Sequence, residues 1–204
     1  MNLRNFSPSC ERNKDAILAQ LTRVLPAQEK LSSVLEIGSL SGQHAIHFSR
    51  HMPHILWQST DLKESMSALA DNLSLYAPDN CLPAKELNVA QAEQWPNETF
   101  DHVFTANTLH IMSWQHVIDL FKNIPQVSHQ DTQLIIYGPF KYKGQFTSES
   151  NEEFELWLKD RDSNSGIRDF EAINSLAEKA HFSLEADIAM PANNQLLVWK
   201  WLAQ

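Results

Sequence analysis

The residues best placed to do chemistry lie in one stretch, Val34-Leu35-Glu36-Ile37-Gly38-Ser39-Leu40-Ser41-Gly42-Gln43-His44. An apolar run ends around an acid, Glu36. A small-residue turn follows, holding Gly38 and Gly42, two of the chain's five glycines. Ala45, Ile46 and Phe48 then begin an amphipathic helix. Strand, tight turn and helix N-terminus together make a nucleotide cradle, because unpaired helix N–H groups and a close backbone face the ligand. An ordinary strand-to-helix turn has the same outline. Spacing narrows the ligand. A phosphate-loop NTPase requires Gly-Lys-Ser/Thr, which is absent. A dinucleotide fingerprint requires glycines at offsets zero, two and five; here they stand at zero and four, with Leu40 at two and Gln43 at five. Asp61 follows nineteen residues after Gly42, at the end of the next apolar run. A carboxylate there can accept both hydroxyls of a ribose; its plainer role is to cap a helix.

These residues need elements to hold them. Apolar patterning predicts strands over 33–37, 54–61, 84–89, 99–106 and 133–138, each followed by helical or turn signals. Helices are predicted over 42–52, around Met66, Leu69, Leu73 and Tyr76, and around Val117, Leu120, Phe121 and Ile124. A further helix starts at Glu11, with Ser9 as its N-cap, and stops before Pro26. Residues 139–152 show no period and read as a long loop; Phe154, Trp157 and Leu158 suggest a short helix, and Phe170 to Ala180 another. Strands over 182–189 and 195–202 close the chain as an antiparallel hairpin. The succession implies an α/β fold, a Rossmann-like doubly wound sheet of about seven strands, mostly parallel with a C-terminal antiparallel hairpin. Such a sheet places its parallel strand C-termini on one edge, where ligands bind. Gly38, Asp61, Asn88, Asn107 and Gly138 fall there.

The whole chain limits the partners. Its 204 residues make a single domain. A formal net charge of −9 argues against broad binding to nucleic acid or anionic membrane. Cys10 and Cys81 lack metal or redox spacing, which fits reduced thiols in a cytoplasmic protein. No apolar run reaches membrane length, and the N-terminus lacks the core of a signal peptide.

The pattern Glu36-x-Gly38-x-Leu40-x-Gly42 resembles motif I of class I S-adenosylmethionine-dependent methyltransferases, acid-x-Gly-x-Gly-x-Gly, with Leu40 in place of the middle glycine. A closer resemblance covers nearly the whole chain. Phe6-Ser7-Pro8-x-Cys10-Glu11-Arg12-Asn13, Asn107-x-x-His110-Ile111-x-x-Trp114, Tyr137-Gly138-Pro139-Phe140, Thr147-Ser148-x-Ser150-Asn151, Gly166-Ile167-Arg168-Asp169 and Met190-Pro191-Ala192-Asn193-Asn194 are similar to the signatures of one methyltransferase-like family of bacteria and animals, catalogued as a domain of unknown function. Gly38 stands where that family often has alanine.

The resemblance implies the class I methyltransferase fold and S-adenosylmethionine as cofactor, with S-adenosylhomocysteine as product. Glu36 would order the loop or meet the cofactor's amino group, beside Gly38 and Gly42. Asp61 would hold the ribose, Asn88 the adenine and Asn107 the methionine part. Arg12 and Asn13 join the cofactor side, where Arg12 can clamp a carboxylate bidentately. The catalytic candidates are His110, Tyr137, Arg168 and Asp169, with Asn193 and Asn194 near them. His110 leads as general base because an imidazole titrates near neutrality. Each has a plain alternative: Asn88 and Asn107 as turn or cap residues, His110 as a packed histidine, Tyr137 as sheet core, Arg168 and Asp169 as an ion pair or cap, Asn193-Asn194 as a turn pair. The expected activity is methyl transfer to an unidentified small molecule or protein group. The alternative is a non-catalytic protein that binds or senses the adenosyl ligand. Residues 1–25 would form a helical cap, and residues 139–168 an insertion over the pocket. Leu40 is expected to take an ordinary negative φ and point away, or else to impair binding.

Overall fold

The computed structural model describes residues 1–25 and 31–202. Seven strands form the main sheet: β1 (Ser32–Ile37), β2 (Ile55–Asp61), β3 (Cys81–Glu86), β4 (Phe100–Ala106), β5 (Ser128–Gly138), β9 (Phe182–Met190) and β10 (Asn194–Trp201). Their order is β3-β2-β1-β4-β5-β10-β9. The first five run parallel, and β10 is antiparallel to both β5 and β9. The expected doubly wound sheet with a terminal hairpin is therefore present. The chain winds outward from β1 to β3 and then returns to the other side of β1. That reversal opens a crevice at the C-terminal ends of β1 and β4.

Both faces of the sheet are covered, which is why its central strands are near-continuous apolar runs. Val34, Trp57, Phe104 and Ile135 pack beneath α1 (Pro8–Val24), α2 (Gln43–His51) and α3 (Lys63–Tyr76). Leu35, Val103, Ile136 and Trp199 pack on the opposite face, beneath α4 (Trp114–Asn123) and α6 (Phe170–Lys179). Neighbours in sequence thus serve opposite cores, the period-two signature of a strand. Among the described residues, no helix is long and apolar enough to cross a membrane.

Several boundaries differ from expectation, each for a physical reason. Helix α1 begins at Pro8, not Glu11, and its cap is Ser7, whose hydroxyl accepts from the Cys10 N–H at 3.4 Å. Proline at the first helical position forfeits an N–H that would be unpaired anyway. Its expected stop signal, Pro26, lies outside the described residues. Strand β3 covers Cys81–Glu86 instead of 84–89. It is an edge strand, so it tolerates Pro83 and shows little alternation. Strand β5 starts earlier, at Ser128, and passes through Asp131 at φ +73.

The largest departure is the stretch expected to be a loop. Residues 139–152 contain β6 (Phe140–Tyr142) and β7 (Gln145–Phe146), joined by Lys143 and Gly144, both at positive φ. Two left-handed residues are what a tight hairpin turn requires. With β8 (Arg168–Asp169) they form a second sheet in the order β7-β6-β8. Helix α5 (Glu149–Arg161) is capped by Ser148 and carries Glu149 and Glu152 in its first turn, so it starts before its aromatic residues do.

Candidate functional site

The loop after β1 alternates left-handed residues: Gly38 at φ +76, Leu40 at +50 and Gly42 at +74. Leu40 therefore takes a left-handed backbone conformation that favours glycine, contrary to the ordinary φ expected. Its side chain is 39% exposed. Gly38 and Ser39 both donate to the Thr60 carbonyl, at 3.0 and 2.9 Å. The Leu40 N–H donates to Asp61 Oδ2 at 2.5 Å, and the Leu62 N–H to Asp61 Oδ1 at 2.7 Å. The loop is thus laced to the end of β2. It is also wedged from two sides. A β-carbon on Gly38 would lie 2.4 Å from Thr108 Cγ2, and one on Gly42 would lie 3.0 Å from both Leu69 Cδ1 and Leu73 Cδ2.

Glu36 sits beneath this loop and is 2% exposed. Burial raises its pKa to about 7, and the nearby Asp61 charge adds to the rise. The Trp57 indole, which donates to Oε2 at 2.9 Å, opposes it. The carboxyl belongs to the loop's underside.

The N-terminal segment closes this side. The Ser7 N–H donates to Gln43 Oε1 at 2.6 Å, and Gln43 Nε2 reaches Glu11 Oε2 at 3.4 Å. His44 Nε2 donates to Asn13 Oδ1 at 2.8 Å. Burial raises the pKa of Tyr137, and the nearby Asn13 side chain opposes the rise. Asn13 thus ties α1 to α2 and lies beside β5. Asn72 on α3 donates to the carbonyls of Ser41 and Arg4, at 2.8 and 2.9 Å, and accepts from the Arg4 N–H at 3.0 Å. The sequence pattern assigns no role to Gln43, His44 or Asn72. Polar residues at otherwise buried helix positions are their one visible signal. Arg12 is exposed, with Nη2 3.3 Å from the Ser9 hydroxyl.

Across the crevice, Asn88 lies two residues past β3. Its Oδ1 accepts from the Ala90 N–H at 3.1 Å, an Asx turn. Asn107 follows β4 at φ +59, with its N–H donating to the Tyr137 carbonyl at 2.9 Å. Its Nδ2 is buried and has no hydrogen-bond partner among the described residues. Buried amide hydrogens rarely stay unpaired, so this donor points to a missing acceptor. His110 is 6% exposed, edge-on to Phe154 at 5.3 Å, with Nδ1 3.6 Å from where a β-carbon on Gly138 would lie. Burial, helped by the Arg168 charge, pushes its pKa down to about 4. It is neutral at pH 7 and does not titrate near neutrality as expected.

Arg168 turns its guanidinium to backbone. Nε donates to the Leu109 carbonyl at 2.9 Å, and Nη2 to those of Asn164, at 3.1 Å, and Met112. Asp169 Oδ2 accepts from the Gly144 N–H at 2.7 Å and so holds the β6–β7 hairpin. Asn193 bonds the Ser150 hydroxyl, and its carbonyl accepts from Asn151 Nδ2; Asn194 bonds the carbonyls of Pro191 and Ala192. The fold thus gathers Glu36, Gly38, Gly42 and Asp61 around one loop. Asn107 and His110 lie on the facing loop, and Asn13 and Tyr137 share a third contact. Asp169 and Asn194 serve neighbouring turns.

A family model described as a protein of unknown function, DUF938, matches residues 4–201. Solved structures share the architecture. An O-methyltransferase family 2 protein from Planctomyces limnophilus, in complex with apigenin, aligns with a TM-score of 0.78 at 14% identity over 95% of this chain and 60% of its own. Human N-acetylserotonin methyltransferase, in complex with SAM, aligns with a TM-score of 0.77 at 12% identity over 96% and 53%. An O-methyltransferase family protein from Burkholderia thailandensis gives 0.75 at 14% identity over 95% and 60%. The fold is that of class I methyltransferases, and this chain spans less than two thirds of each neighbour's length.

Proposed function

Because the chain belongs to the DUF938 family, and its fold is shared with methyltransferases, we propose that it is an S-adenosylmethionine-dependent methyltransferase acting on a small molecule or an exposed protein group. The observation that carries this reading is the bond between the Leu40 N–H and Asp61 Oδ2. It couples a left-handed, glycine-type loop to an acid at the C-terminal end of β2, next to β1. A carboxylate has about four acceptor positions, and backbone donors fill two of Asp61's, which leaves capacity for a ribose diol. The unpaired Asn107 Nδ2 supplies a donor on the facing loop for the methionine part. Asn88 would meet the adenine, and the exposed Arg12 would clamp a carboxylate of cofactor or acceptor. The two cysteines are free thiols, in keeping with the cytoplasmic location we assign.

Bound there, S-adenosylmethionine would supply a methyl group for in-line displacement. The protein's part is alignment, which can remove several kcal/mol of barrier. Neutral His110 can hold an acceptor by hydrogen bonding. With its pKa near 4 it is a weak base, so an acceptor that is already nucleophilic suits the site best. The same weak base is the observation that favours the second reading, a protein that binds the adenosyl ligand without turning it over.

Calorimetry with S-adenosylhomocysteine tests both readings. Binding is expected, and Asp61→Ala should weaken it roughly 10- to 150-fold, the value of about 1.5–3 kcal/mol for hydrogen bonds to a charged group. A folded protein that binds neither adenosyl ligand would sink both readings. Tight binding with no methyl transfer across an acceptor screen would leave the sensor.

A further inference from the structure

The Gly-Ile-Arg-Asp motif has no partner in the cofactor cradle, yet the segment that begins at Ser165 is fastened to the loop that carries His110. The Leu109 carbonyl accepts from Arg168 Nε, at 2.9 Å. The His110 carbonyl accepts from the Gly166 N–H, at 2.9 Å. The Ile111 carbonyl accepts from the Ser165 hydroxyl, at 2.9 Å. The Met112 carbonyl accepts from Arg168 Nη2. Four consecutive carbonyls, Leu109 to Met112, are thus taken by three residues of one short segment. The loop lies between β4 and α4, so neither sheet nor helix supplies these donors.

The clamp has its own support. Glu155 on α5 accepts from the Ile167 N–H at 2.5 Å. A β-carbon on Gly166 would come within 2.9 Å of that carboxylate, so glycine is what allows the approach. Glu155 also supplies the counter-charge for Arg168, whose guanidinium lies 5.8 Å from the centre of the Trp114 ring. Helix α5 meets the same loop again through Phe154, edge-on to the His110 ring.

We infer that Arg168 is a positioning residue: with Ser165 and Gly166 it clamps the Leu109–Met112 backbone and so fixes the His110 imidazole at the end of β5. A planar fork that reaches two carbonyls of one loop cannot be replaced by a point charge. As a device for methyl transfer the clamp rests on the function proposed above; as a clamp on His110 it stands apart from it.

Long-range proton–nitrogen NMR spectra of the labelled full chain follow the His110 ring through a pH titration, and S-adenosylhomocysteine is titrated in parallel. Arg168→Ala and Arg168→Lys should both raise the His110 pKa towards the usual 6.5 as the loop loosens and the ring hydrates. Ser165→Ala, a milder change, should move it the same way by less, which keeps the test available if Arg168→Ala does not fold. Affinity for S-adenosylhomocysteine should stay within roughly threefold. A wild-type titration in Arg168→Lys would show that charge alone matters and overturn the clamp. So would an unmoved His110 accompanied by lost ligand binding, which would put Arg168 on the ligand. If the wild type binds no adenosyl ligand, the functional reading fails while the His110 titration still decides the clamp.

Discussion

Leu40 and Gly38 occupy the same kind of backbone at different cost. A β-carbon in the left-handed region costs roughly 1–2 kcal/mol. Leu40 bears that cost at φ +50. Leu40→Gly removes it, but enlarges the unfolded ensemble by roughly 0.5–1 kcal/mol. The second term offsets about half of the first, so urea unfolding should place Leu40→Gly within about 1 kcal/mol of wild type. Gly38→Ala has no such compensation. It adds the left-handed cost and drives a methyl group to 2.4 Å from Thr108 Cγ2. Thr108 cannot easily swing aside, because its hydroxyl is bonded to that of Thr105 at 2.5 Å, which in turn donates to the Ile37 carbonyl at 2.8 Å. Gly38→Ala should therefore lose more than the roughly 1–2 kcal/mol of the backbone cost alone. Equal unfolding midpoints for the two variants would show that the loop relaxes around either side chain.

At the scale of elements, α3 holds the loop through one buried side chain. Asn72 is 1% exposed and ties α3, the Arg4 backbone and the Ser41 carbonyl together. Asn72→Ala strands these groups, each worth about 1–3 kcal/mol when left unsatisfied. We expect a loss of that order in urea unfolding and faster hydrogen exchange at the Arg4 amide. Wild-type values for both would mean that water replaces the side chain. This tie also marks where the sequence stopped being informative. Strands β1, β2 and β4 are plain from their apolar runs, and they place Asp61 and Asn107 on one edge. Asn72 sits between Leu69 and Leu73 on a helix, and nothing local names its partners, which lie 31 and 68 positions away. Arg168 illustrates the same limit. Its residue type suggests an anion, but only the fold brings the Leu109 and Met112 carbonyls within its reach. Strand β3 was faint because an exposed edge strand has no core to impose alternation.

Across the whole molecule, buried titratable groups give stability a lopsided pH dependence. Burial lowers the pKa of His44 to about 3, and of His102 and His110 to about 4, from the usual 6.5. A depressed histidine contributes stability that is complete above pH 6.5 and is lost as pH falls towards the folded value, because the unfolded chain binds the proton first. Glu36 works in the opposite sense. Its folded pKa, raised from 4.5 to about 7, contributes stability that is complete below pH 4.5 and lost as pH rises through 7. Between pH 6 and 5 the unfolded state holds up to three more protons on these three histidines than the folded state does, while the folded state holds one extra on Glu36. With about 1.4 kcal/mol per proton and pH unit, the net two protons predict a fall of about 3 kcal/mol per unit on acidification. Glu36→Gln can still accept from the Trp57 indole through its amide oxygen, and it removes the opposing proton. Urea unfolding at stepped pH should then show a steeper acid fall, about 4 kcal/mol per unit, together with a gain in stability above pH 7. Parallel curves for the variant and wild type would mean that Glu36 titrates in the folded protein as it does unfolded, so that water reaches the underside of the loop.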